Sequence, residues 1–205
     1  SVLYVSAEES AQQVKLRWQR LHSTKSNLRL LAETDLDFIL EEIEALKPSL
    51  AIIDSIQALH DANLSSTAGS VAQVRECSAI LQRLAKKQGT ALMLVGHVTK
   101  EGMLAGPKVL EHLVDAVLTF EGDRFASHRL LRAVKNRYGA THELGVFEMR
   151  GKGLFEITNP SEIFLSGESA SGVATIVAYE GTRSFVVEMQ GLVSATTYSS
   201  PRRTA

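Results

Sequence analysis

With a single cysteine, Cys77, the chain can build neither an internal disulfide framework nor a cysteine-rich zinc site, which fits a reducing compartment. Its six histidines are scattered, and none stands at a metal-ligand spacing such as HxxxH. No apolar run approaches the roughly 18 residues a membrane helix needs. Charge of one sign is lacking too. Lys+Arg 22 against Asp+Glu 23 leaves a net charge of -1, so any contact with nucleic acid must come from local basic loops. The given residues do not open with Met and show no signal-peptide or basic amphipathic leader pattern. The phosphate-cradling pattern GxxxxGK[ST] occurs nowhere.

What is present is ordinary globular composition. The 205 residues are 44% hydrophobic and 22% charged, which suits one domain or one domain plus part of another. A mostly disordered chain, a collagen and a coiled-coil rod are excluded. The chain opens inside an apolar run, Ser1-Val2-Leu3-Tyr4-Val5, and stops at Ser200-Pro201-Arg202-Arg203-Thr204-Ala205 without a closing element. It therefore reads as an internal fragment.

Hydrophobic periodicity lays out the elements. VLYVS at 2–6 reads as a strand, and Ala11, Val14, Trp18 and Leu21 recur at helical spacing, with Trp18 as a core residue. LRLLAE at 28–33 is a short strand. Leu36, Ile39, Leu40 and Ile43 mark a helix that Pro48 ends. LAIID at 50–54 is an apolar run expected to be covered on both faces. Val71, Val74, Leu81 and Leu84 trace a long helix stopped by Gly89, with Cys77 packed beside its apolar face, and ALMLVGH at 91–97 is another strand. Strands alternating with helices imply βαβ units and a mainly parallel sheet. DAVLTFEG, HRLLRAVKN, LGVFEM and GKGLFEIT follow too closely for crossover helices, so antiparallel strands appended to the sheet edge are expected. Residues 166–171 are a linker candidate, and 173–193 read as a hairpin turning at Glu180-Gly181-Thr182.

Several groups can carry chemistry. Asp54 ends a strand of the form hhhhD, where a carboxylate can hold Mg²⁺ through its waters or cap the next turn. Glu8 and Glu9 follow the first strand in the same way, placed to deprotonate a water or to begin a helix. His97 ends the fourth strand, either as a phosphate-sensing switch or as a satisfied strand-end histidine. Lys135 and Arg137, two positions apart in Lys135-Asn136-Arg137-Tyr138-Gly139, suit phosphate neutralisation or protection of a sheet edge. The loops at 60–70 and 98–108 are small, polar and contain glycine. As mobile loops they could grip single-stranded nucleic acid through backbone amides and cations such as Lys100 and Lys108, or be plain surface loops.

In order along the chain, LYVSAEES, LAIIDSIQ, GSVAQVREC, LVGHVTKEG, AGPKVLEHLVDAVLTFEGD, RAVKNRYGATHELGVFEM and NPSEIFLS resemble the bacterial RadA (Sms) family of RecA-like DNA repair ATPases over essentially the whole length. KNRYG is similar to that family's KNRFG signature, with Tyr138 in place of Phe, and Ala7 stands where a Gly is common.

The resemblance implies an α/β fold: a RecA-like core over 1–165, a linker at 166–171 and the start of a Lon-protease-like α+β domain over 172–205. It implies ATP and Mg²⁺ as cofactors, with Glu8, Glu9 and His97 catalytic and Asp54 at the metal. Lys135 and Arg137 would reach the nucleotide of the next subunit. DNA would be met by Ser65, Ser66 and Gly69 in one loop and by Lys100 and Lys108 in the other. The implied function is a DNA-dependent ATPase or helicase, driving branch migration in recombination and repair. The implied partners are single-stranded and branched DNA, a RecA-type recombinase and five further copies in a hexamer. The implied place is the nucleoid region of the cytoplasm, with no membrane. The family's phosphate loop and four-cysteine zinc finger would lie ahead of Ser1. The chain alone is therefore expected neither to bind ATP tightly nor to hydrolyse it, and to be prone to aggregate at unpaired sheet edges. The alternatives are another RecA-like regulatory ATPase, or a non-catalytic fragment that binds DNA or caps a ring.

Overall fold

The computed structural model describes residues 1–21, 27–97, 110–122, 127–159, 161, 165, 170–180 and 183–195. The chain divides into two compact units, Ser1–Val117 and Leu118–Ala205.

In the first unit, β1 (Val2–Ser6), β2 (Leu28–Ala32), β3 (Leu50–Asp54) and β4 (Ala91–Val95) form one parallel sheet in the order β2-β1-β3-β4. Alternation along the strands sets the core. Leu3 and Val5 of β1 and Ala51 and Ile53 of β3 are buried, and of their neighbours Ser6 is buried too while the others are half-buried. The face of Ala51 and Ile53 packs against α2 (Leu36–Leu46) and α3 (Val71–Gln88). The other face, with Leu50 and Ile52, is only half-covered, so β3 is not buried equally on both faces as its apolar run suggested.

The helices form where their caps allow. Asp35 caps α2 by accepting from the Asp37 amide, and Leu36, Ile39 and Ile43 make its buried stripe. Lys47 ends it in a left-handed conformation just before Pro48. Ser70 caps α3, and Gly89 closes it at φ 71, a conformation that glycine adopts without strain. Along α3, Val74, Cys77, Leu81 and Leu84 face the core. Burying one such side chain contributes about 1.5–3 kcal/mol.

The first helix, α1 (Ala11–Arg20), carries a capping box between Ser10 and Gln13 yet buries none of its residues. Trp18, expected in the core, is half-buried, because α1 lies beside β2 at the edge of the sheet, where there is less to bury against.

A second sheet, which apart from Ala116 and Val117 lies in the second unit, holds β5 (Ala116–Glu121), β6 (His128–Asn136), β7 (Leu144–Arg150) and β8 (Gly153–Glu156), in the order β5-β6-β7-β8. The β6–β7 and β7–β8 pairs are antiparallel, as the short connections require. Among the described residues these strands make a sheet of their own and do not extend the parallel one. Connection length dictates the direction of pairing, and it says nothing about which sheet a strand joins.

A hairpin follows, β9 (Val173–Glu180) with β10 (Arg183–Gln190), paired in register from Glu180↔Arg183 to Val173↔Gln190. Phe185 of β10 is buried with Leu144 and Val146 of β7, and the Val186 amide donates to Ser161 Oγ at 3.1 Å. The hairpin thus shares a core with β7 despite the linker-like composition at 166–171, most of which lies outside the described residues. No helix among the described residues is long and apolar enough to cross a membrane.

Candidate active site

Parallel register brings the carboxyl ends of three strands side by side. Ser6 pairs with Asp54, and Asp54 pairs with Val95. The Ala7 amide then donates to the Asp54 carbonyl at 2.7 Å, which carries the β1–β3 contact one step past the strand. Glu8, Asp54, Ser55 and His97 therefore leave the sheet at one end, where open α/β sheets bind their ligands.

Glu8 is the centre of the cluster. Its Oε1 accepts a short hydrogen bond from Ser55 Oγ and lies 3.3 Å from His97 Nε2. Ser55 is fully buried, so its hydroxyl is a fixed donor. The Glu8 side chain is 44% exposed and can be reached by water. At that exposure the pairing with His97 contributes only about 0–1 kcal/mol, and only when the imidazole is protonated. Positioning, more than stability, is what these contacts provide.

Glu9 turns the other way. Its Oε1 pairs with Arg17 Nη2 of α1 at 2.5 Å. Its amide donates to Ser6 Oγ at 3.3 Å, and Ser6 Oγ donates back to the Glu9 carbonyl at 2.7 Å. Adjacent in sequence, the two glutamates have separate neighbours.

Asp54 is half-buried, and its Oδ2 accepts from the Tyr4 hydroxyl. Burial pushes the Tyr4 phenol well up, and the bond to Asp54 adds to that, so Tyr4 stays a donor throughout the neutral range. Next comes a single 3₁₀ turn, Ile56–Ala58. From it Gln57 Nε2 donates to the His97 carbonyl at 3.2 Å.

The 60–70 loop, expected to be a mobile polar surface, is fastened. Gln73 of α3 is fully buried; its Oε1 accepts from the Asp61 amide at 3.0 Å. Its Nε2 donates to the carbonyls of Asp61 at 3.1 Å and Ser66 at 2.9 Å. A buried amide must find such partners, and main-chain groups of the loop supply them. Ser65 is exposed, Ser66 is half-buried with its hydroxyl enclosed, and Gly69 is exposed at φ 79. The other loop, 98–108, with Lys100 and Lys108, lies outside the described residues.

Lys135 and Arg137 belong to the second unit. Lys135 is half-buried in β6, but β6 ends at Asn136, so the two-residue period that would put both cations on one face stops there. Arg137 is exposed in the following turn, where Asn136 Oδ1 accepts from the Tyr138 amide at 3.2 Å. Both cationic residues have partners within the chain.

Sequence reasoning missed Tyr4, Ser55, Gln57 and Gln73. The available signal was the polar pair Ser55 and Gln57 directly after the hhhhD strand. Among the described residues no three His, Cys, Asp or Glu side chains come close enough to hold a metal directly. A lone strand-end carboxylate does fit Mg²⁺, which usually keeps several waters and takes one or two protein carboxylates besides phosphate oxygens. The cluster thus offers a metal-side group, Asp54, and a water-side group, Glu8. The 205 residues contain no phosphate-cradling glycine loop beside them.

Residues 1–103 match the family model described as an AAA domain. Over 98% of its length the chain is 59% identical to the DNA repair protein RadA of Synechocystis, and over 100% it is 51% identical to that of Bacillus subtilis. The RadA of Streptococcus pneumoniae is 50% identical over the whole chain. The chain spans 44%, 45% and 49% of these three proteins, about half their length. Among solved structures, a KaiC-like protein of Pyrococcus horikoshii aligns with a TM-score of 0.57 at 16% identity, covering 76% of this chain and 74% of that one. That likeness shows the RecA- and KaiC-like α/β fold. With a family model matched across the site and half or more of the residues identical from end to end, the chain belongs to the AAA domain family, in the branch of the bacterial RadA proteins.

Proposed function

We propose that the protein to which this chain belongs is a DNA-dependent ATPase of the RadA type, an ATP-driven motor that moves branch points during recombination and DNA repair. The observation that carries this reading is Glu8, water-accessible yet held by Ser55 and His97, at the same sheet end as Asp54. MgATP supplies the bond to be cleaved. Glu8 orients the attacking water and accepts its proton, a role worth about 10²–10⁴ in rate. Asp54 holds Mg²⁺ through its waters, and Tyr4 fixes the Asp54 carboxylate. His97 reports the γ-phosphate through its contact with Glu8, and Glu9 steadies the start of α1 through Arg17. Lys135 and Arg137 neutralise phosphate charge on a neighbouring copy in a hexameric ring.

DNA, single-stranded or branched, is met by Ser65, Ser66 and Gly69 and by Lys100 and Lys108, with a RecA-type recombinase as partner in the nucleoid. Residues from 172 open a Lon-like domain. The phosphate cradle and a zinc finger belong to sequence outside these 205 residues, so this chain alone does not turn over ATP. The test uses full-length protein, with MgATP turnover measured with and without single-stranded DNA and branch movement followed on a synthetic three-way junction. Turnover that is raised by DNA and drives branch movement supports the reading. Tight DNA binding with no turnover would favour the second reading, a non-catalytic DNA-binding or ring-capping role, which the lack of GxxxxGK[ST] motivates.

A further inference from the structure

We propose that Gln57 is a positioning residue that couples His97 to the 60–70 loop, so that the nucleotide site and the first DNA loop are linked through this residue. The inference rests on the reading above of Glu8 and His97 as ATP-responsive and of 60–70 as a DNA-contacting loop.

Gln57 bonds His97 with its side chain and lies beside Gly69 with its main chain. Its side-chain Nε2 donates to the His97 carbonyl at 3.2 Å. Its main-chain carbonyl lies 3.6 Å from the position a Cβ would take on Gly69, whose φ of 79 suits glycine. The side chain is closely held. A Cβ on Gly96 would stand 3.3 Å from Gln57 Nε2 and 3.5 Å from Oε1, so glycine at 96 leaves room for this amide. The loop's other end is already anchored, because Gln73 binds Asp61 and Ser66. The Gly69 end is the part of the loop that lies beside Gln57.

The amide is also incompletely satisfied. A carbonyl can only accept, so the nitrogen must face His97 and the oxygen must face away. That oxygen, Oε1, is buried without a donor. Buried amide oxygens are nearly always paired. An arrangement in which Oε1 gains a donor therefore competes with the one seen here, and movement of the His97 carbonyl shifts the balance between them. Such a two-arrangement element, biased from one site and touching another, is what coupling requires.

The experiment uses full-length protein. Gln57→Glu keeps the size of the side chain but removes its ability to donate to the His97 carbonyl. Gly96→Ala crowds the amide and leaves Gln57 itself intact. MgATP turnover is measured with and without oligo-dT, and oligo-dT affinity with and without a non-hydrolysable ATP analogue. Both variants should keep DNA-free turnover within about twofold of wild type, while DNA stimulation and the analogue-dependent gain in DNA affinity each fall roughly fivefold or more, the ordinary range of allosteric coupling. Gln57→Asn, too short to span the gap, should behave like Gln57→Glu. A purely structural role would instead lower turnover and unfolding temperature together and leave the stimulation ratio alone. Full stimulation in both Gln57→Glu and Gly96→Ala overturns the coupling and leaves the ATPase reading intact. A wild-type protein whose turnover ignores DNA overturns both.

Discussion

Ser55 and Glu8 stand 47 positions apart in the chain, yet the serine hydroxyl donates directly to Oε1 of the glutamate. His97 Nε2 approaches the same oxygen at 3.3 Å. With Oε1 engaged from two sides, Oε2 is the oxygen available to take a proton. A general base needs this kind of arrangement: one end tied to fixed donors, the other open to water.

Removing the serine hydroxyl should therefore slow turnover without weakening substrate binding. Ser55→Ala in the full-length protein is expected to lower kcat about tenfold, from a hydrogen bond to a charged group worth about 1.5–3 kcal/mol, only part of which is expressed in the transition state. KM for MgATP should stay near wild type. A raised KM with unchanged kcat would assign Ser55 to binding instead.

The two glutamates should differ sharply. Glu8→Gln should lower turnover at least about a hundredfold. Glu9→Gln breaks a pair whose side chains are 30% and 63% exposed, which should cost about 0–1 kcal/mol of stability and little activity. Turnover and thermal unfolding of both variants decide this; equal losses of activity would overturn the distinction, and a larger loss in Glu9→Gln would reverse it.

Lys135 and Arg137 should matter to a neighbour's nucleotide and not to their own. Arg137→Ala should lower turnover by roughly 10³, the low end for a charge donated between subunits, with nucleotide binding retained. Mixing Arg137→Ala with Glu8→Gln protein should recover part of the activity, because some interfaces then pair an intact Glu8 with an intact Arg137. An inactive mixture, with rings still forming, would mean that Glu8 and Arg137 of the same subunit serve one nucleotide.

Gln73 holds the 60–70 loop from inside the core, and substitution by leucine removes the partner of the Asp61 amide and the Ser66 carbonyl, while the Asp61 carbonyl keeps only the Leu64 amide. Gln73→Leu should destabilise by about 1–3 kcal/mol and expose the loop to protease. Unfolding midpoints and limited proteolysis give the answer; unchanged cleavage would mean the loop is secured elsewhere.

Cys77 supplies a pH dependence. Burial, aided by the charge of Asp61, pushes its thiol from 9.0 up to about 11. The folded state then holds a proton that the unfolded state releases, so its contribution is intact below pH 9.0 and is lost as pH rises toward about 11. The stability difference between wild type and Cys77→Ala should be flat through neutrality and shrink across that window. Iodoacetamide should label Cys77 at neutral pH only after unfolding.

Much of the first unit was legible from residue order. Apolar runs and helical periodicity located β1 to β4 and α1 to α3, and the strand–helix alternation implied parallel pairing. Strand ends therefore pointed to Glu8, Asp54 and His97 together. These are local properties: a strand or helix is written in the spacing of its own side chains.

The tertiary structure decided what those residues touch. Strand order and register brought Ser55 to Glu8, turned Glu9 toward Arg17, and gave Asp54 the Tyr4 hydroxyl. It left Trp18 half-buried beside an edge strand, gathered β5 to β8 into their own sheet, and packed Phe185 on β7. None of these follows from periodicity, because each joins positions far apart in the chain. The amino-acid sequence alone determined which groups reach the ends of the strands, and only the packed fold determined which of them share a hydrogen bond.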